Sequence, residues 1–178
     1  MGGVLHAGGR VLHVSGPIVS APPPAANAIH RMVERCRAGD AAALVAKLPS
    51  GWVVMGERQV FSGYCLLLAD PVVDHLNALT FAHRAQFLAD MALIGDAVLA
   101  VMGGIRVNYA IFGNVDPALH AHVFPRLASE PAATRTAQPW AFDWNLAPAY
   151  SDSLHGELRR RIGAYLEAAS ATPIALHP

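Results

Sequence analysis

The longest helical pattern in the chain runs from about Phe81 to Met102, with strand-like runs on both sides, and this arrangement restricts the fold more than any other feature. Thr80 is a good N-cap for that helix, and Gly103-Gly104 ends it. Phe81, Ala85, Leu88, Ala92, Leu99 and Met102 recur at helical spacing and predict the buried stripe, while Arg84, Asp90 and Asp96 fall largely elsewhere. Before it lie Trp52 to Met55 and Gly63 to Ala69, joined through the polar Gly56-Glu57-Arg58-Gln59. After it lie Ile105 to Phe112 and Leu119 to Phe124, joined by the turn-like Gly113-Asn114-Val115-Asp116-Pro117. Hairpins separated by single helices, rather than regular β-α-β crossovers, predict an α+β domain with helices packed on an antiparallel sheet.

The rest of the chain fits one domain, residues 27–178, with its core in 27–126 and a tail with a helix in 127–178. Residues 1–26 are rich in Gly, Ala and Pro and predict a flexible extension, within which Val11 to Val19 could form a short strand. Asn27 is placed to cap a helix over Ala28 to Arg37. Asp40 is expected to cap a second short helix through Lys47, and Pro49-Ser50-Gly51 makes a turn. A last helix is expected over about Ser153 to Ala169.

A formal net charge of +0 and a pI of about 7.1 leave no global field to draw the protein onto nucleic acid or an anionic membrane. Phosphate binding would have to come from local groups. The most hydrophobic stretch, Met91 to Ile105, carries Asp96 and reads as too short to span a bilayer. Cys36 and Cys65 lie far apart and form no zinc pattern, and the first residues lack the plan of a secretory signal. The expectation is a soluble protein in a reducing, cytoplasmic setting, with Cys65 a small buried core residue.

Chemistry concentrates in Leu119-His120-Ala121-His122-Val123-Phe124-Pro125-Arg126. On a strand, His120, His122 and Phe124 share one face while Leu119, Ala121 and Val123 share the other. Two imidazoles then stand together in front of an apolar back. Such a pair can chelate a metal, but it needs further ligands, and Glu130 lies well past the usual acidic position. His75, His83 and His155 have no evident partner and are expected to face solvent.

The segment resembles the signature of the histidine triad superfamily: three histidines alternating with hydrophobic residues and running into Pro-Arg. His120 and His122 match the second and third positions, and Ala118 stands in the first, which makes the set incomplete. Leu48-Pro49-Ser50-Gly51-Trp52, Gln59, Gly63 to Leu68, Asn108-Tyr109 and Gly113-Asn114 look like further landmarks in the family's order, so the resemblance covers roughly 27–126. It implies the histidine triad fold. It also implies a hydrolase or nucleotidyl transferase, similar to the bacterial diadenosine polyphosphate hydrolases, acting on dinucleoside polyphosphates, nucleoside phosphoramidates or adenylates through a nucleotidyl-histidine intermediate.

By that resemblance His120 is the nucleophile, oriented by the backbone carbonyl that Ala118 still supplies, and His122 serves the phosphate oxygens or the leaving group. Asn114 and Asn108 match polar contacts to the phosphates, and Arg126 is a further candidate for one. Tyr64 stands where several relatives carry another histidine; its phenol can replace a hydrogen bond but not a positive charge. The nucleoside pocket would take Ile29, Val53 and Phe61 near the base and Glu57 near the ribose, although several relatives place the ribose residue at the position of Gly56. Trp140, Phe142 and Trp144 either close over a ligand or seal a core edge. No cofactor is implied as a requirement, a divalent cation enters only with the substrate, and a homodimer is the expected assembly. The competing outcome is a nucleotide-binding protein on the same fold whose catalysis has eroded with Ala118 and Tyr64.

Overall fold

The computed structural model describes residues 26–132 and 134–171. The flexible extension expected for residues 1–26 lies, apart from Ala26, outside them. The described residues form helices α1 (Ala28–Arg37), α2 (Phe81–Met102) and α3 (Asp152–Ala171), and strands β1 (Leu44–Leu48), β2 (Gly51–Met55), β3 (Cys65–Ala69), β4 (Arg106–Ile111) and β5 (His120–Arg126). The strands make one five-stranded sheet in the order β1-β2-β3-β5-β4, with every neighbouring pair antiparallel. This is the expected α+β architecture.

The ends of the first two helices follow their caps. Asn27 Oδ1 accepts from the His30 amide at 3.1 Å, and Thr80 Oγ1 accepts from the His83 amide at 3.3 Å. Gly103, with φ of 62°, closes α2 in the left-handed conformation that glycine adopts without steric cost.

The second short helix expected between Asp40 and Lys47 is not formed, because Leu44–Leu48 pairs with β2 as a strand. Local propensity loses there to a hairpin: Leu48 faces Gly51 across the Pro49-Ser50 turn. Gly51 is required at that point, since a Cβ would collide with the Leu68 carbonyl oxygen on β3. The buried Asp90 carboxylate of α2 holds the same turn, accepting from the Ser50 amide at 2.8 Å and the Ser50 hydroxyl at 2.5 Å.

Helix α2 buries a different stripe from the one its spacing suggested. Phe87, Asp90, Ile94, Ala97 and Val98 face inward, whereas Phe81 is 86% exposed and Leu88 38%. The helix is apolar nearly all round, so periodicity could not select its inner face. It is also long and apolar enough to cross a bilayer by length and composition, which the reading of Met91 to Ile105 as too short did not anticipate. In this fold it lies on the sheet.

The two sheet faces carry different contents. Val53, Cys65, Leu67, Ala121 and Val123 pack with α2 and with Ile162 and Leu166 of α3 in the main core. On the opposite face, α1 covers Val54 and Leu68 through Ile29, Val33 and Cys36. Cys36 and Cys65 are both buried and unbridged, with burial pushing the Cys65 thiol up to about 12.

Candidate active site

Register places the site. Val54, Leu66 and His122 stand in line across β2, β3 and β5, while Val53, Leu67 and Ala121 stand in line one residue away on the other face. His120 and His122 therefore rise from the α1 side of the sheet near its middle, their ring centroids 4.9 Å apart. The apolar back expected behind them is the core beneath α2.

His120 Nδ1 donates to the Ala118 carbonyl at 2.7 Å, so that Nε2 is the nitrogen that carries the lone pair in the neutral ring. The backbone of Ala118 thus supplies the acceptor that orients His120. His120 is 7% exposed, yet it lines two adjoining cavities rather than being walled in. His122 lines both as well.

Tyr64 Oη lies 2.6 Å from His122 Nδ1. Burial pushes the Tyr64 phenol up, so it keeps its proton and donates it. Burial, followed by the neighbouring His120, holds His122 down to about 4. His122 is therefore a neutral ring whose Nε2 carries hydrogen.

The loop that presents Tyr64 is organised by buried Gln59. Its side-chain amide donates to the Gly56 carbonyl at 2.8 Å and the Tyr64 carbonyl at 3.0 Å, and its carbonyl accepts from the Gly63 amide at 3.0 Å. A Cβ on Gly56 would run into the Tyr64 ring. Gly56 and Tyr64 thus share one volume.

The larger cavity, about 670 Å³, lies between α1, the sheet and the tail. Ile29, Met32, Val54, Leu66 and Leu68 give it an apolar floor, Glu57 and Arg35 stand among its polar lining, and Trp144 and Tyr150 close it from the tail. The smaller, about 410 Å³, lies between the β4–β5 loop and the tail and includes Phe112, Asn114, Asp116 and Trp140. Asp116 belongs to both cavities and its carboxylate accepts from the Ala28 amide at the start of α1, 3.2 Å away.

Of the sequence candidates, Tyr64, Ile29, Glu57 and Asn114 thus come together with the two histidines. Val53 does not: it is wholly buried on the α2 face, and Val54 takes the place assigned to it. Phe61 packs edge-on to Phe124 and Phe142 under the Arg126 guanidinium, away from both cavities.

Arg126 is no free cation for a phosphate. Its guanidinium holds Glu130 at 2.7 Å and donates to the Asn108 side-chain oxygen and to the carbonyls of Thr134, Arg135 and Ala137. Asn108 is thereby committed to Arg126 and opens toward other surface clefts than those of the histidines. His155, expected in solvent, is buried at the start of α3, where its Nδ1 accepts from the Ser151 amide at 3.2 Å. Among the described residues no three His, Cys, Asp or Glu side chains gather as a metal site, so the His120–His122 pair has no third ligand.

Residues that composition and periodicity undervalued are Asp116, Phe112 and Trp140. The aromatic tail both seals and lines: Trp140 and Trp144 stack on each other, both meet the Phe124 ring edge to face, and the two indoles also line the cavities.

No family model matches the sequence, and no curated protein matches it. Among solved structures, a histidine triad protein from Sinorhizobium meliloti 1021 superposes with a TM-score of 0.60 at 18% identity, covering 72% of this chain and 93% of its own. A histidine triad protein from Marinobacter aquaeolei VT8 gives 0.61 at 18%, covering 72% and 92%. A hypothetical histidine triad nucleotide-binding protein from Sulfolobus tokodaii strain 7 gives 0.62 at 12%, covering 79% and 93%. This is the histidine triad fold. On that fold His120 and His122 stand on β5, and the tail beyond Arg126 folds back over that strand.

Proposed function

We propose that the protein is a nucleotide hydrolase or nucleotidyl transferase in which His120 attacks the phosphorus of a nucleotide seated in the larger cavity. The observation that carries this reading is the 2.7 Å bond from His120 Nδ1 to the Ala118 carbonyl, beside cavities on both sides of the ring. It aims Nε2 of a buried imidazole at the space where a substrate would sit. The substrate class is a nucleoside phosphate bearing a displaceable group: a phosphoramidate, an adenylate or a dinucleoside polyphosphate.

The nucleoside lies on the apolar floor of Ile29, Met32, Val54 and Leu66, with Glu57 available to ribose hydroxyls. His122 Nε2–H and the Asn114 side chain serve non-bridging phosphate oxygens, with hydrogen-bonding power but no charge. The Nε2 lone pair of His120 forms the N–P bond, and the bond to the leaving group breaks with its electron pair departing on that group, which takes a proton from solvent. Water then attacks the phosphorus, the N–P bond breaks back to His120, and the nucleoside monophosphate leaves. A different acceptor in place of water gives transfer.

The test is intact-protein mass after a rapid quench with adenosine 5′-phosphoramidate and with diadenosine polyphosphates, comparing the wild type with His120→Asn. A nucleotidyl mass gain in the wild type alone supports the reading. Equal gain in both proteins refutes the choice of nucleophile, and binding without adduct or turnover leaves the eroded nucleotide-binding reading in its place. For assembly we propose a homodimer through the sheet edge at β4, where Ile105 and Tyr109 are 59% and 42% exposed beside unpaired backbone.

A further inference from the structure

We propose that the smaller cavity is a leaving-group subsite in which Phe112 and Trp140 receive an alkylamine bearing a flat aromatic ring, selecting it over an anionic polyphosphate. The inference rests on the His120 reading above and narrows its substrate class.

Two cavities meet at the histidines, and their linings differ. The larger has an apolar floor of aliphatic side chains and suits a nucleoside. The smaller, at about 410 Å³, falls in the range of roughly 300–1,000 Å³ that small-molecule sites occupy. Its walls are the rings of Phe112 and Trp140, 4.7 Å apart and perpendicular at 89°. One ring offers a face and the other an edge, the two arrangements that aromatic ligands favour. Phe112 is 48% exposed and Trp140 46%, so an incoming ring removes apolar surface from water that the fold leaves uncovered.

Both rings also stand against the chemistry. Trp140 lies edge-on to His122 at 5.4 Å, and Phe112 lies 6.2 Å from it. A group bonded to a phosphorus in front of His120 and His122 would extend against the corner that they form.

The corner is held in place from behind. The turn Pro139–Ala141 that carries Trp140 is fixed by the Trp144 indole N–H donating to the Pro139 carbonyl at 3.2 Å. Just upstream, the Ala137 carbonyl accepts from the buried Arg126 guanidinium at 3.0 Å. Such a prebuilt corner needs little ordering when a ligand arrives.

Charge decides between leaving groups. The described residues lining the smaller cavity include Asp116 and no lysine or arginine, and His122 is neutral. A polyphosphate brings several negative charges that this lining would leave uncompensated, whereas an amine leaves as a cation beside Asp116. In the proposed step the P–N bond breaks with its electron pair going to the amine nitrogen as the N–P bond to His120 forms; that nitrogen takes two protons from solvent, one as the bond breaks and one once free, and so departs as an ammonium ion.

The test compares adenosine 5′-phosphoramidates that differ only on nitrogen, N-methyl against N-(2-phenylethyl), together with diadenosine tetraphosphate with and without magnesium. The expected wild-type kcat/KM is about tenfold or more higher for the phenylethyl compound than for the methyl one, and higher than for the tetraphosphate in either condition. In Trp140→Ala and Phe112→Ala the phenylethyl-to-methyl ratio should fall toward one; because it is taken within each variant, partial loss of folded protein cancels. Parity in the wild type, a ratio kept in both variants, or preference for the tetraphosphate overturns the proposal while leaving His120 chemistry standing. The two amides are also titrated by calorimetry against His120→Asn. Tighter binding of the phenylethyl compound, lost on adding Trp140→Ala, supports the subsite even if wild-type turnover is absent and the catalytic reading has failed. Equal binding overturns it.

Discussion

The two faces of the sheet are built from the same strands and do opposite work. On the α2 side, Val53, Cys65, Leu67, Ala121 and Val123 are sealed from solvent within one apolar cluster. On the α1 side, Val54, Leu66, His120 and His122 surround open volume, and the polar groups there are each held by a specific partner: Ala118 for His120, Tyr64 for His122. Stability and chemistry are thus separated by one residue of register, about 3.3 Å along a strand. The open face keeps its shape because the tail closes over its far end, locked by Arg126 and packed through Phe142 and Trp144 on Phe61, Tyr64 and Phe124.

That lock gives the largest expected effect. Arg126→Met should destabilise the fold by about 3–5 kcal/mol, because it strands the Glu130 carboxylate and several carbonyls around a site only 9% exposed. Urea melts measure it. An unchanged midpoint would mean that the tail is held by its aromatics alone.

Next comes the direct contrast between faces. Leu67→Ala, in the dry core, should cost about 3 kcal/mol with nucleotide affinity retained, whereas Leu66→Ala, on the cavity floor, should cost under about 1.5 kcal/mol and weaken nucleotide binding. Reversal of the two outcomes would show that the faces are assigned the wrong way round.

A pH experiment sharpens the contrast further. His122 is held at about 4 in the fold against an ordinary value of 6.5, so the unfolded chain binds its proton first as pH falls. Its contribution is complete above about pH 6.5 and lost progressively toward pH 4, up to about 3 kcal/mol at the low end. Wild-type Tm should therefore drop more between pH 7 and 4.5 than that of His122→Gln. Parallel curves would mean that His122 titrates as it does in water.

The smallest effect is that of the phenol. Tyr64→Phe keeps the stacked ring on Phe124 but removes the donor to His122 Nδ1, and should lower kcat/KM roughly fivefold, about 1 kcal/mol. No change would show that His122 needs no partner to hold its tautomer.

Legibility in the sequence followed the range of the interaction that decides each feature. Asn27 and Thr80 marked helix starts correctly because a cap is a contact over three residues. Alternation along Leu119 to Phe124 predicted that His120 and His122 share one face of β5, with its apolar face turned to the core, since that too is local geometry. Four readings failed where distant groups decide. Leu44–Leu48 became a strand because β2 was available to pair with it. The inner face of α2 was set by the sheet it lies on, since an almost uniformly apolar helix carries no preference of its own. Val53 was placed in the pocket one residue out of phase, because the parity of β2 against β5 passes through β3. Arg126 was offered to a phosphate although Glu130, one helical turn away in number, had already claimed it in a structure without a helix there.

By itself, then, the sequence determined an α+β chain with two imidazoles on one face of a strand and a backbone carbonyl two residues earlier able to aim the first of them, all consequences of short-range backbone geometry. The tertiary structure alone decided that the tail returns to make a second, aromatic cavity, that Arg126 is a structural lock, and that His122 is neutral. Those properties come from burial and from contacts between residues far apart in the chain, and neither a dielectric environment nor a distant partner is written in local spacing.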